Sequence, residues 1–592
     1  MRDLLFLLLA LSFSIRPAFA TVSYEVSLDH PEQHAFHVIM TIPSAAPGTL
    51  VAIPAWNATY QIRDFGHRVR DVEAHYQSGE KLNVRKLDKQ TWQIADAPAS
   101  NPSPSPGELT VRYSIEWDDP GPFNSQLNAH HAFMNFAETL MYIANRRGEE
   151  VSVRFANVPA GWKTFAELDR GRADNSYVAA NYDALVDAPF EAGKFEEFDF
   201  TSAGANFRVV VDAKDWNKGH LEEGLRRITD YQLKLMGVAP FKEYTFFFHI
   251  GPYLEVGGGG MEHSNCTAIS AGSLEAAVAI ASHEFFHTWN VKRIRPQAFE
   301  PVDFTKEQYT RALWFAEGVT STYGAYTLER SGVYPKDVFY AELASQIAEL
   351  QSRPAHKWQS AEESSLDTWY DKYDLYRQPD RSISYYNKGQ ILGVLLDLAI
   401  RDATDNHKSL DDVLRRLDVD YAQKGKFYNE SEGIRAVVEE VSGKSFVDFF
   451  RRYVAGVREI PYADFFDAAG LELKLDSSAG ADLGFRPSRA PGTGEIVLSV
   501  VPGSDAETAG LRAGDVLLNV DGDPFPRSVR AWLRNHKPGE TVKLRFRREN
   551  KDFDISYALG SSSEARYSIV ESAQPSDRQR RIRDGILHGT TD

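Results

Sequence analysis

The sequence predicts a multidomain chain: an N-terminal all-β domain, an α+β domain that runs into a helical part, and a smaller strand-rich domain towards the C-terminus. Three observations predict it. The length, 592 residues, exceeds what one hydrophobic core holds and points to roughly three or four domains. Apolar residues alternate with polar ones up to about residue 195, then recur at helical spacing through most of 205–460. Glycine and β-branched residues rise again from 466 to 560, where short strand patterns return. At 43% hydrophobic and 12% aromatic residues, the chain has enough apolar side chain for several cores.

The elements follow in order. Arg2 precedes an apolar run, Leu4 to Phe13, and Ala18-Phe19-Ala20 fits a small-residue cleavage site, so residues 1–20 read as a secretory signal. That run is too short to span a bilayer, and no later segment is apolar enough. A periplasmic or secreted protein is expected. Residues 21–195 carry Ser23–Leu28, His37–Ile42, Thr91–Ile94, Leu109–Trp117 and Val151–Phe155, short alternating runs separated by Pro, Gly, Asn and Asp; they predict a β-sandwich-like domain. Within it, Asn101–Gly107 reads as a loop, and His130 and His131 read as ordinary surface or core histidines. Residues 196–465 open with strands Phe207–Val211 and Tyr244–Ile250 around a helix Leu221–Met236. Helices Leu274–Arg293, Tyr309–Arg330, Lys388–Arg401, Asp411–Asp418 and Glu432–Val441 follow. In 466–560 the strands are Glu495–Val501, Val516–Val520, Thr541–Arg547 and Phe553–Leu559. The polar, Arg-rich tail 561–592 either stays disordered or packs back on the body; the sequence leaves both open.

Composition excludes some chemistry. A net charge of −17 argues against nucleic acid, which needs a basic face. Cys266 is the single cysteine, so no intrachain disulfide forms and a metal would need His, Asp or Glu ligands.

His283-Glu284-Phe285-Phe286-His287 supplies two of them. On a helix, residues four apart leave one face, so both imidazoles can hold one zinc ion, and Glu284 lies beside them. A catalytic zinc needs a third protein ligand and an open position. Glu317, in the apolar run Trp314–Val319, is the candidate, because a carboxylate in such surroundings is costly unless paired or metal-bound. Gly257–His263 is a glycine-rich stretch that allows a substrate to approach the backbone. Tyr385 and Tyr386 each bring a phenol capable of hydrogen bonding to an oxyanion.

In order, GGMEH (Gly259–His263), HEFFH (His283–His287), WFAEG (Trp314–Gly318) and YNKG (Tyr386–Gly389) resemble the motif series of the gluzincin aminopeptidases. The chain resembles the glycyl aminopeptidases more than the alanyl family: His263 stands where the latter has Asn, Ala316 precedes Glu317 in place of Asn, and the His287–Glu317 gap is longer. HTWNVKRIRP after the zinc motif, the β-rich N-terminal region and a C-terminal PDZ-like segment extend the resemblance over nearly the whole mature chain. The middle domain is then expected to have the thermolysin-like gluzincin fold.

The resemblance implies a zinc aminopeptidase with one zinc per chain on His283, His287 and Glu317. It implies Glu284 as general base, Tyr386 as oxyanion donor with Tyr385 as its rival, and Glu262 as the partner of the substrate's free α-ammonium. Backbone of Gly259 and Gly260 would align the peptide, and N-terminal Gly, then Ala, would be preferred. Leu483-Gly484-Phe485 resembles the carboxylate loop of PDZ domains, with Asp482 where Gly often stands, and Ser528–Asn535 would line a groove for a peptide C-terminus. A zinc endopeptidase with a structural Glu262, and a PDZ-driven peptide-binding or quality-control protein with a vestigial metal site, are the alternatives.

Overall fold

The computed structural model describes residues 21–46, 48–57, 60–94, 107–251, 258–490, 494–526 and 528–591. Residues 1–20, expected to be a secretory signal, all but the last residue of the expected loop Asn101–Gly107, and Gly257 lie outside them. The chain forms two compact units: one comprises residues up to Phe339 with 352–469 and 575–592, the other 340–351 and 470–574.

In the first unit, sequence alternation becomes sheet. Strand Val22–Ser27 buries every second side chain, as does most of Ala35–Ala45, so one face of each enters the core. They belong to an eight-stranded sheet in which Val22–Ser27 lies between Val151–Ala156, parallel, and Ala35–Ala45, antiparallel. Two four-stranded sheets complete the domain, and all three contribute to one core that includes Phe36, Trp92, Trp117, Phe155 and Tyr182.

A five-stranded sheet begins the second half of this unit, in the order Glu196–Ser202, Ala205–Ala213, Glu243–Ile250, Cys266–Ala271, Gly259–Glu262. Its three inner strands run parallel and the last is an antiparallel edge. Tyr244 to Phe248 are all buried, as expected of a strand covered on both faces. The glycine-rich stretch is therefore strand from Gly259, and it forms the sheet's edge.

Against this sheet pack the helices Lys218–Met236 and Leu274–Phe286, and Thr320–Arg330 packs on the latter; Tyr385–Ala403, Leu410–Asp420 and Glu430–Ser442 follow in the chain. Two predicted helices are shorter than their patterns. The motif helix begins at Ser273, whose hydroxyl accepts from Ala276 N–H, and ends at Phe286, because 287–294 coil into turns closed by Lys292 N–H→His287 O and Ile294 N–H→Trp289 O. The helix expected from Tyr309 starts only at Leu313–Trp314, with one π-helical turn, Trp314–Val319. Helices Lys336–Ser352, Ala361–Leu366 and Tyr462–Asp467 had no sequence counterpart above.

Residues 561–591 of the tail are structured. Gly560–Glu571 is a strand, and Asp577–His588 is a helix within the first unit, capped at Ser576 by a capping box. Arg330 Nε donates to Ile586 O at 2.7 Å, and buried Arg401 donates to Thr590 O at 2.7 Å. The chain's end thus braces the two helices, Thr320–Arg330 and Tyr385–Ala403, that flank the candidate site. Among the described residues no helix is long and apolar enough to cross a membrane.

The second unit holds a six-stranded sheet with Phe485–Ala490 at one edge, the short helix Val529–Leu533, and a long ribbon pairing Leu471–Asp482 with Gly560–Glu571. Its core gathers Leu483, Phe485, Val497, Leu517, Val542, Leu544 and Phe546.

Candidate metal centre and active site

The motif helix divides its residues by face. Phe285 and Phe286 are fully buried; Phe286 stacks on Tyr323 with ring centroids 4.5 Å apart, and Phe285 meets Tyr244 edge-on at 4.9 Å. His283 and His287 leave the other side, with Nε2 atoms 3.0 Å apart. Glu317 Oε2 lies 3.2 Å from His287 Nε2 and 3.6 Å from His283 Nε2. Three ligand atoms on one tetrahedral zinc, each at about 2.0–2.1 Å, stand about 3.3 Å from one another. The spacing found here fits zinc. Second contacts orient the ligands: His287 Nδ1 donates to Asn290 O at 2.8 Å, leaving the Nε2 lone pair for the metal, and Ser321 Oγ lies 3.3 Å from His283 Nδ1.

The π turn brings Glu317 to the histidines, a recurrent use of that irregularity. Asn290 clamps it: Nδ2 donates to Phe315 O at 2.9 Å and to Thr320 Oγ1 at 3.1 Å. Nothing in the HTWN motif points to this role of Asn290, because its partners lie about 25–30 residues on in the chain. Asn290→Ala is expected to lower stability by about 1–3 kcal/mol, the cost of orphaning buried acceptors, measured by urea unfolding.

Glycines set the approach distances. A Cβ on Gly318 would collide with Gly389 Cα, so the π turn and the Tyr385–Ala403 helix meet backbone to backbone. A Cβ on Gly260 would collide with Cγ, Cδ and Oε1 of Glu284, so the Glu284 carboxylate lies directly on the edge strand. Glu262, Glu284 and His287 offer ligand-type atoms within 4.8 Å of one another.

Three buried carboxylates, Glu262, Glu284 and Glu317, thus face two imidazoles. Burial, reinforced by Glu262 and Glu317, pushes the Glu284 carboxyl up to about 8, and Glu284 Oε2 has no hydrogen-bond partner among the described residues. Burial also raises Glu262, with Glu317 adding to it. Burial alone would lower His287, but Glu317, with Glu262 and Glu284 behind it, pushes it up to about 10. Without metal, His287 is therefore an imidazolium paired to Glu317. Metal must displace that proton, so loading is expected to release protons. Apparent affinity should fall about tenfold per pH unit for each proton displaced as pH drops below 10. Zinc titrations in two buffers of different ionisation heat, across pH 6–9, check this.

The two tyrosines part company. Tyr385 is buried and its hydroxyl accepts from Thr368 Oγ1 at 3.1 Å; Tyr386 is 40% exposed, its ring 6.3 Å from that of His283. Tyr60, from the N-terminal domain, was not anticipated. It is buried, stacks on Phe299 at 5.4 Å, and its phenol is raised by burial and then by the charges of Glu317 and Glu262. The ring of Phe123, from the same domain, abuts Gly259. His263, the residue after Glu262, points away to Asp187, 3.4 Å from Nδ1. Against the cost of burial, the Lys292 ammonium and His263 hold that carboxyl well below the usual range.

Residues 276–392 match the model for the M61 glycyl aminopeptidase, and residues 23–194 match the Peptidase M61 N-terminal domain. The chain thus carries both the M61 glycyl aminopeptidase domain and the M61 N-terminal domain. Residues 481–559 match a PDZ domain. The crystal structure of an aminopeptidase N family protein from Idiomarina loihiensis superposes with a TM-score of 0.83 at 23% identity, covering 96% of this chain and 100% of that one. An M1 zinc metallopeptidase from Deinococcus radiodurans aligns at a TM-score of 0.46 and 14% identity, over 75% of this chain and 95% of that one. Among curated proteins, the periplasmic pH-dependent serine endoprotease DegQ of Escherichia coli is 31% identical over 100 residues, 16% of this chain and 22% of its own length. The chain thus spans less than a quarter of that relative.

In the PDZ domain, Leu483 and Phe485 are buried and Gly484 takes a left-handed φ of 73°. The Gly484 amide, expected to receive a peptide carboxylate, instead donates to the side chain of Asp482, Oδ1, at 2.7 Å. The acidic residue in the first loop position thus occupies one of the three anticipated donors and places a negative charge beside it.

Proposed function

We propose that this chain is a zinc aminopeptidase that removes N-terminal residues, Gly before Ala, from peptides outside the cytoplasm. The observation that carries the reading is the meeting of His283, His287 and Glu317 at zinc spacing beside two further buried carboxylates. When bound there, zinc supplies Lewis-acid polarisation of water and of the scissile carbonyl. Glu284, on the motif helix with its carboxylate against the edge strand, accepts the proton of the attacking water and delivers it to the leaving amine. Tyr386, on the open side of His283, donates to the carbonyl oxygen as it becomes negative. The edge strand Gly259–Glu262 aligns the peptide backbone. Glu262 needs a cationic partner to offset its burial, and the substrate's α-ammonium is one. Phe123 against Gly259, with Tyr60 near Glu262, supports a narrow first pocket suited to Gly and Ala.

Glu262→Gln is expected to lower kcat/KM for a free glycyl peptide about 10–100-fold, the worth of a hydrogen bond to a charged group. Equal rates for this variant and wild type on free peptides would remove Glu262 from ammonium recognition. Export rests on the leader at 1–20 and is checked by finding Thr21 as the mature N-terminus.

For the PDZ domain, the edge strand Phe485–Ala490 can accept an added strand, while Asp482 disfavours a free carboxylate. Wild type should therefore bind peptide acids no better than the matching amides. Asp482→Gly should acquire a preference for the acids, read by fluorescence anisotropy.

A further inference from the structure

Away from the candidate active site, a second His/Glu cluster lies inside the first unit. His131, Glu191 and His249 are all buried, with ligand-type atoms within 4.8 Å of one another. Four strands build it. His131 on His131–Met134 and Glu191 on Phe190–Gly193 come from paired strands of the N-terminal domain. Asp212 and His249 are cross-strand neighbours on the parallel strands Ala205–Ala213 and Glu243–Ile250. His131 Nδ1 lies 3.1 Å from Glu191 Oε1 and 3.4 Å from Asp212 Oδ2; His249 Nε2 lies 2.9 Å from Glu191 Oε2.

The hydrogen bonds around the cluster fix its proton inventory. Gln126 Nε2 donates to Asp118 Oδ1 at 2.9 Å, which sets the amide's orientation and turns Oε1 towards His131 Nε2, also at 2.9 Å. His131 Nε2 therefore carries a hydrogen. In a neutral imidazole the other nitrogen, Nδ1, is then a bare lone pair facing two carboxylate oxygens. Such an arrangement requires a cation at that point, either a proton on Nδ1 or a metal ion among the four side chains. The Glu191 carboxylate meets the two imidazoles at 2.9 and 3.1 Å, one oxygen to each, near the separation of about 3.3 Å between N and O ligands on zinc, and Asp212, 3.4 Å from His131 Nδ1, is the fourth side chain within reach. The Gln126 contact is the outer hydrogen bond that orients a ligating histidine. Asp212, with 44% of its side chain exposed, leaves a way in from solvent.

We propose that His131, Glu191, His249 and Asp212 form a second, structural metal site for a divalent ion of the zinc class, fastening the N-terminal β domain to the catalytic sheet. Four protein ligands leave no open position, which distinguishes it from the site at His283, His287 and Glu317. It also gives His131, read from sequence as an ordinary histidine, a specific task.

The test uses the full chain with His283→Ala and His287→Ala, which silences the first site. The protein is loaded with zinc, exchanged into metal-free buffer and assayed by plasma mass spectrometry. One zinc per chain should remain, with X-ray absorption showing N/O ligands including imidazole, and chelation should lower Tm. Adding Glu191→Gln should remove the ion, and Gln126→Ala should weaken its binding about 10–100-fold. Should Glu191→Gln not fold, the half-exposed Asp212→Asn decides, with weakened binding expected. The proposal is overturned if the folded double variant holds no zinc, as a protonated His131 would predict, or if zinc persists unchanged through Glu191→Gln and Asp212→Asn. A wild type whose single zinc is lost with Glu191→Gln but kept in the double variant would support this site and remove the catalytic reading instead.

Discussion

Glu284→Gln is expected to lower kcat on an unblocked glycyl substrate about 10³-fold, within the usual range for losing a general base. Metal content should stay at the wild-type level, because Glu284 is not one of the three atoms at zinc spacing. The fold should hold as well. Glu284 is buried with Oε2 unpartnered among the described residues, and its carboxyl is pushed up to about 8 in the metal-free protein, so the neutral amide replaces a group already inclined to be neutral. A positive charge of two at the ligands would return that pKa towards the range where a base works at neutral pH. Stopped assays and zinc analysis on the same preparation separate the two readouts. An active Glu284→Gln enzyme would assign the proton transfer elsewhere.

Gly260→Ala is expected to cost about 10² in kcat through geometry alone, since a displacement near 1 Å at a reacting group has that effect. The added Cβ would occupy the space of the Glu284 carboxylate, so either the edge strand or the base must move. The change adds one methyl and removes no chemistry. Comparable losses in Gly260→Ala and Glu284→Gln, with zinc retained in both, would show that the strand and the base work as one unit. Wild-type kcat in Gly260→Ala would contradict the contact.

The parts of this site that were legible in sequence share a physical origin. His283 and His287 are four residues apart on one helix, so their meeting is local geometry. Strands such as Val22–Ser27 and Thr91–Ile94 announce themselves through alternation, because one face is buried. Glu317 was found by its apolar setting, but the π turn that delivers it was not legible: Trp314 to Val319 are all buried and leave no amphipathic period to read. The motif helix was drawn too long for a related reason. Val291 and Ile294 continue an apolar pattern while the backbone has already turned, tied down by Asn290 and Arg293. Tyr60 and the His131–Glu191–His249 cluster depend on contacts between segments far apart in the chain, for which composition and spacing carry no signal. The reason for glycine at position 260 is likewise tertiary, a carboxylate from another element lying on it.

The most direct measurement is hydrolysis of glycyl p-nitroanilide and its N-acetyl derivative by the zinc-loaded and the chelated protein. The account predicts cleavage of the free amine by the zinc form, lost on acetylation and on chelation and restored by zinc. Cleavage of the acetylated compound at an equal rate, or none of the free amine by zinc-loaded protein, would contradict it.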